Sequence, residues 1–524
     1  MRKFFVVVGL IFFSVNLYCL EPIKSVKIGK NREFIVNGKV FFPIMLWLQS
    51  EKRINDGLSI GVNTFVGNGG RLSNKEYLDM LGKSGIYGVV HFDPEVINHP
   101  YLLGWIHSDE PDLTKRVYDI KIIPGKNLII NRRTPLERIV DGNIFSWSVL
   151  DPLQDAEITI PFKKSCEIVE IGIALTVSGN LSVAKDVVFI ADNKREILKV
   201  TLEEKRGLQR FKLKEPVKIE KSLTFKVLSI YKHKNVWGSI GEITAYNKDG
   251  ENVLLSPPRQ VPRILPEKVK SLYQEIKGKD PAHPVFLNFT ANFMKEFKKY
   301  DEETKKKLYP EYVKGCDVVG FDIYPIFGWN KPQWLTYVAK GVSQLTELAG
   351  KRPVFAWIET NKGSRWITPK RQLDVKPVHT RAEVWMAIIR GATAIGYFTH
   401  RWVPNYKQFA PTPEMRKELK RLNSQITRLA PAILAESAND LIEIKSENNA
   451  ECHFKATRYN GKIWIFVQNL DLKNPTTIKI SIKGQKIKNT ADVVDEGRSI
   501  QIKGNEFSDK FEPLQEHIYS IQII

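Results

Sequence analysis

Cysteine is scarce in this chain. Four occur in 524 residues, at Cys19, Cys166, Cys316 and Cys452, too few for a disulfide scaffold and without metal-ligand spacing. Histidine is scarce too, with nine residues scattered along the chain and no H-E-x-x-H pair. No P-loop, no G-x-G-x-x-G after a strand and no G-x-S-x-G nucleophile elbow occurs. No metal and no cofactor is therefore expected. Beyond the first twenty residues no stretch reaches about 18 uninterrupted apolar residues, which argues against a membrane-spanning helix. Acidic excess is also absent: the net charge is +21, from lysines spread along the whole length. That balance bears on solubility and non-specific partners rather than on fold. Without a basic cluster or a recognition motif it gives no nucleic-acid reading. Solvated lysine-rich faces account for it, as would a preference for acidic glycans or an anionic surface.

What is present is an average globular composition, 43% hydrophobic and 26% charged, rich in aromatics with 11 Trp, which excludes global disorder and fibrous repeats. Arg2 and Lys3 precede an apolar run from Phe4 to Val15 and a short polar break, the layout of a secretory signal peptide over residues 1–20. The mature chain is then exported, to a periplasmic or extracellular location. A lipid anchor at Cys19 is disfavoured, since Asn16 and Tyr18 fit a lipobox poorly.

Downstream, apolar and polar residues alternate around Asn37-Gly38, a hairpin turn signal. Short apolar strands then alternate with helical patterns. Four strands are expected at residues 42–47, 62–66, 88–92 and 102–106, and four more at 285–288, 318–323, 354–358 and 394–398. Helical patterns such as NKEYLDMLGKSG, PEKVKSLYQEIKG and TRAEVWMAIIRGA lie between them. Eight strand–helix units predict an α/β fold, a (β/α)8 TIM barrel, over residues 21–114 and 263–435. The intervening block, 115–262, reads as β throughout and predicts an inserted β-sandwich. Residues 436–524 again alternate with period two (KIWIFVQNL, TIKISIKG, HIYSIQII), predicting a C-terminal β-sandwich.

Barrels of this kind carry function at the C-terminal ends of their strands. The fourth strand ends in GWIHSDEPD, placing Asp109 and Glu110 at its mouth; the seventh ends in VFAWIETN, placing Glu359 just past an apolar strand. Removing the inserted block leaves about 101 residues between Glu110 and Glu359, three βα units of about 34 each, as strands four and seven require. Two carboxylates at one barrel mouth can flank a glycosidic bond, one as general acid and base, the other as nucleophile.

With VNGKVFFPI, GWIHSDEP, DVVGFDIYP and VFAWIET in this order, the barrel, about half the chain, resembles the large clan of retaining glycoside hydrolases on TIM barrels. The resemblance implies an acid/base at Glu110, a nucleophile at Glu359 and a tyrosine, Tyr324, that hydrogen-bonds the nucleophile. It also implies a Trp after strand eight, at Trp402, as a sugar platform. One departure stands out: Asp109 occupies the place where that clan has the Asn that binds the sugar 2-hydroxyl. An N-cap role for Asp109 is an equal alternative. Trp47 offers a further stacking surface, His400 shares the edge after strand eight, Trp357 reads as strand packing, and Trp329 and Trp366 read as rim-loop aromatics.

The expected reaction is retaining hydrolysis of an oligo- or polysaccharide, with the two carboxyls about 5–5.5 Å apart, a raised pKa at Glu110 and an inactive Glu359→Gln variant. A transglycosylase using the same pair, or a non-catalytic sugar-binding surface protein on a barrel scaffold, are the alternatives. In the insert, LERIVDGNIFSWSV and NVWGSIGEITAYN resemble the discoidin-like, galactose-binding jelly roll shared by many carbohydrate-binding modules. That resemblance leaves open whether the block binds sugar or only braces the barrel.

Overall fold

The computed structural model describes residues 20–524, so the expected signal segment and Cys19 lie outside the described residues. Among the described residues, no helix is long and apolar enough to cross a membrane. The chain divides into two compact units, one of residues 20–113 with Pro262–Ile524, the other Thr114–Val261.

The first unit opens with the antiparallel strands Val26–Ile28, Phe34–Val36 and Lys39–Phe41. Asn37 (φ +52°) and Gly38 (φ +77°) make the turn between the last two. Both left-handed positions fall on the residue types that tolerate them, so the strands join in two residues without splaying.

The centre is a closed parallel barrel of eight strands: β1 Ile44–Gln49, β2 Thr64–Asn68, β3 Tyr87–Val90, β4 Leu102–Ile106, β5 Val285–Thr290, β6 Val318–Asp322, β7 Val354–Glu359 and β8 Ala394–Phe398. Every residue of β3, β4, β5, β7 and β8 is buried. Strands covered on both faces are built from unbroken apolar runs rather than alternating ones, as in VFAWI and AIGYF. Around them lie α1 Ile54–Ser59, α2 Asn74–Lys83, α3 Pro266–Lys279, α4 Glu302–Val313, α5 Tyr337–Ala349, α6 Pro377–Ile389 and α7 Pro413–Ile433.

Start signals are local. Ser73 and Glu76 form a reciprocal capping box on α2, Asp301 accepts the Thr304 amide at α4, and Pro266 fills the first turn of α3. Each satisfies, or dispenses with, an amide that the first helical turn leaves unpaired. One connection departs from the expected alternation. Between β3 and β4 there is only a one-turn 3-10 segment, Pro94–Val96, because the short stretch holds two prolines, Pro94 and Pro100, that leave no room for a helix.

From Glu436 the chain is all β. A six-stranded sheet (Glu436–Ser437, Cys452–Tyr459, Lys462–Asn469, Glu516–Gln522, Thr490–Val493, Arg498–Gln501) faces a three-stranded one (Ile442–Ser446, Thr476–Ile482, Glu506–Phe511). Ile478, Ile480 and Ile482 alternate into their shared core. This region packs on the outer helices of the barrel: Trp385 of α6 stacks on Phe466 with ring centroids 5.9 Å apart, and Gln468 Nε2 donates to the Ala382 carbonyl at 3.1 Å.

The second unit consists of two antiparallel-rich sheets of six and five strands closed over a core that includes Ile158, Ile173, Phe189, Phe225 and Ile243. The strands at its two ends, Thr114–Val117 and Arg259–Pro262, pair with each other. The mixed α/β architecture thus comprises a closed parallel barrel with β-sheet regions inserted in it and following it.

Candidate functional site

The mouth of the barrel holds a cleft of about 190 Å³. Its walls come from the C-terminal ends of the strands and the loops that follow. Asp109 and Glu110 follow β4, Asn288 lies in β5, and Asp322 and Tyr324 end β6. Trp47 of β1, Trp357 of β7, Phe398 of β8 and the loop residues Arg365, Trp366 and Trp402 complete it.

The acidic side is held by its neighbours. Asp112, fully buried, accepts the Thr290 amide at 2.9 Å, the Thr290 hydroxyl at 2.7 Å and the Tyr309 hydroxyl at 2.9 Å. The loop after β4 is thereby pinned to β5 and α4, which sets where Glu110 sits. Asn288 Nδ2 donates to Asp109 Oδ1 at 2.9 Å, and the Arg263 guanidinium donates to the Asp109 carbonyl. Asp109 therefore anchors to a neighbouring strand and begins no helix. Glu110 adopts φ +46°, a left-handed backbone that costs a non-glycine residue on the order of 1 kcal/mol and concentrates at functional sites.

Glu110 and Asp322 hydrogen-bond each other, and Tyr324 bonds Asp322 in turn. Burial pushes the Glu110 carboxyl up to about 7, with the charges of Asp109 and Asp112 acting in the same direction. Burial likewise raises Asp109 and holds Asp322 well above the usual carboxylate range, reinforced by Glu110 and Asp109. Acids crowded in one dry site cannot all ionise, so protons remain on the cluster near neutrality.

The opposite wall is aromatic. Trp47 meets Trp357 edge-on at 5.2 Å, Trp402 stacks on Phe398 at 5.5 Å and reaches Trp366 at 5.4 Å, and Tyr324 lies against Phe398 at 4.8 Å. The Arg365 guanidinium sits over the Trp402 ring at 5.2 Å. Three polar atoms around this cleft are buried without a hydrogen-bond partner: Trp357 Nε1, Asp322 Oδ1 and Asn288 Oδ1.

Of the residues expected from sequence, Trp47, Asp109, Glu110, Tyr324 and Trp402 meet in this cleft. Glu359 and His400 do not line it. Glu359 is fully buried; its carboxylate accepts the Ile326 amide at 2.9 Å and the Phe327 amide at 2.6 Å, and it neighbours the buried Glu383 of α6, whose pKa is raised by burial and by the Glu359 charge. Glu359 thus lies outside the set of residues that line the cleft with Glu110, its carboxylate held by these two amides. The reason is local: two amides in the loop after β6 capture the Glu359 side chain.

His400 stands behind the wall, 3% exposed. Its Nε2 lies 3.0 Å from the Trp47 carbonyl and its Nδ1 3.0 Å from the Tyr406 hydroxyl. The Trp47 carbonyl asks Nε2 to donate, while the Gln49 amide nitrogen, 3.1 Å from the same atom, asks it to accept; a neutral ring meets either demand, according to its tautomer. Burial lowers the His400 pKa, which suits this neutral form. Its effect on the cleft passes through Trp47.

Trp357 lines the cleft as well as packing in its strand, and Trp366 joins it from the rim. Trp329 instead packs on Phe297 and Trp334. The residues that sequence reasoning did not select are Asp322, Asn288, Arg365 and Phe398. The signal for the first two was present: a single carboxylate in GFDIYP and a single amide in VFLNFT, each a polar break in an otherwise apolar strand. Among the described residues, no group of three or more His, Cys, Asp or Glu side chains is placed to hold a metal ion.

No protein-family model matches the chain, and no curated protein sequence does. Similar solved structures include the family 32 carbohydrate-binding module from C. perfringens NanJ in complex with galactose (15% identity, 25% of this chain and 98% of that one, TM-score 0.21). A second is the family 32 module of AlyQ in complex with 4,5-unsaturated mannuronic acid (13% identity, 25% and 98%, TM-score 0.20). A third comes from a family 31 glycoside hydrolase of Clostridium perfringens (14% identity, 27% and 98%, TM-score 0.20). Scores this low give no warrant for carrying sugar binding over to this chain.

Proposed function

We propose that the protein is an exported glycoside hydrolase whose barrel mouth binds a saccharide and whose Glu110 protonates the leaving glycosidic oxygen. The observation that carries this reading is one carboxyl, Glu110, raised to about 7 in a cleft walled by Trp47, Trp357 and Trp402. A general acid needs a pKa near the working pH. Aromatic faces present broad apolar area to the C–H faces of a sugar ring while polar edges take its hydroxyls.

Burial and the charges of Asp109 and Asp112 keep the proton on Glu110 in the resting site, where it is available to the leaving oxygen. Glu359 receives no nucleophilic role in this reading, since its oxygens are committed to two backbone amides. His400, through the Trp47 carbonyl, helps hold one wall.

The test is release of reducing sugar from a panel of aryl glycosides and polysaccharides, with Glu110→Gln alongside. The expected result is hydrolysis by the parent protein and a loss of about 100-fold or more in the variant. The loss should be smaller on glycosides whose leaving group needs no protonation. An unchanged rate in Glu110→Gln would remove Glu110 from the chemistry. A second reading, a non-catalytic sugar-binding scaffold, is favoured by one observation, the burial of Glu359. Sugar binding with no release of any product would select it.

A further inference from the structure

The cleft contains an acid but no carboxylate set across from it. Its acidic side chains are Asp109, Glu110 and Asp322, and none of the other residues that line it is a carboxylic acid. Glu359 is engaged elsewhere. At the same place two buried polar atoms lack partners: the Trp357 Nε1 hydrogen, on a side chain only 2% exposed, and Asp322 Oδ1. Asp322 and Trp357 are register partners on adjacent strands. Buried donors and acceptors are normally satisfied, so an unpaired donor beside an unpaired acceptor in a cleft awaits a ligand group that both accepts and donates. A secondary amide does this with its C=O and N–H.

Building on the hydrolase reading above, we infer that the substrate is a 2-acetamido sugar whose own carbonyl oxygen is the nucleophile, with Asp322 holding the amide N–H and Trp357 Nε1 steering the carbonyl. In the first step the Glu110 proton passes to the glycosidic oxygen as the C1–O bond breaks. The acetamido oxygen closes on C1 to give an oxazolinium ring, and the N–H of that cation is held by Asp322 Oδ1, the acceptor left unpaired in the resting site. In the second step water adds to C1, gives a proton to the Glu110 carboxylate and reopens the ring, restoring the acetamide. No oxidant, metal or enzyme nucleophile enters the balance. The proton shared by Glu110 and Asp322 in the resting site is the one spent in the first step. The mutual hydrogen bond between them is thus the ground state of the acid that acts.

The experiment compares 4-nitrophenyl 2-acetamido-2-deoxy-glycosides of the gluco and galacto series with their 2-hydroxy parents, together with an N-acyl series of increasing fluorine content. A 2-acetamido thiazoline serves as a binding probe. The expected outcome is hydrolysis of the acetamido glycosides alone, with kcat/KM falling by at least about tenfold from acetyl to trifluoroacetyl as the carbonyl oxygen loses nucleophilicity. The thiazoline should bind the parent protein. Asp322→Asn should lose about 100-fold or more in kcat and flatten the dependence on fluorine, a change that a merely structural role would not produce. Equal or faster cleavage of the 2-hydroxy glycosides, or a rate indifferent to fluorine, overturns this inference and leaves the hydrolase reading standing. No cleavage of any glycoside together with no thiazoline binding overturns both.

Discussion

Glu359→Gln separates the geometry described here from the arrangement the sequence suggested. Glu359 lies fully buried near Glu383, and both Glu383 oxygens are without a hydrogen-bond partner. Burial pushes the Glu359 carboxyl from 4.5 up to about 7. Between those two values the folded chain keeps a proton that the unfolded chain has released, so stability is complete below 4.5 and is lost as pH rises through 7. At 1.36 kcal/mol per pKa unit the loss above that window is on the order of 3 kcal/mol. Glutamine with its oxygen in the Oε2 position keeps the one acceptor that both amides reach, Phe327 at 2.6 Å and Ile326 at 3.2 Å, and carries no titrating proton. The variant should therefore match the parent near pH 4 and exceed it by on the order of 3 kcal/mol near pH 8. Urea unfolding followed by tryptophan fluorescence across that range measures the difference. A stability difference independent of pH, or a loss near pH 8, would refute the reasoning. The same variant should keep hydrolytic activity within about tenfold; abolished turnover in a protein of undiminished stability would return the nucleophile's role to Glu359.

Three further outcomes follow from the same geometry. If Glu110 must be protonated to act, kcat/KM should fall on the alkaline side with a midpoint near its value of about 7, and a flat profile to pH 9 would contradict that. Trp402→Ala should weaken binding of the cleaved sugar by roughly tenfold, the order of one aromatic contact, with little effect on the melting temperature. Trp385→Ala, which empties the stack against Phe466 on α6, should cost about 3–5 kcal/mol of unfolding free energy while leaving kcat unchanged in the protein that remains folded.

The barrel strands were readable because they are buried on both faces. Residues 102–106 and 394–398 coincide with β4 and β8, and the others shift by no more than two residues at either end. The acidic end of strand four was readable for a similar reason, since SDEPD breaks an apolar run abruptly. Glu359 also follows an apolar run, yet its side chain is directed by amides 33 and 32 positions earlier in the chain. No periodicity within its own segment reports on those. Asp322 was passed over for the opposite reason: a lone carboxylate inside VVGFDIYP looks like a tolerated interruption until its neighbours across the barrel are known. The missing helix after β3 was signalled by Pro94 and Pro100, but the repeat of the surrounding pattern outweighed them.

The backbone at Glu110 has one more implication. A residue with φ +46° that also buries an ionisable group is a poor choice for folding twice over, and asparagine or glycine would suit that corner better. Variants selected only for heat resistance should therefore drift at position 110 first and emerge sturdier and silent. A chain that keeps glutamate there is retaining it for something other than its own shape.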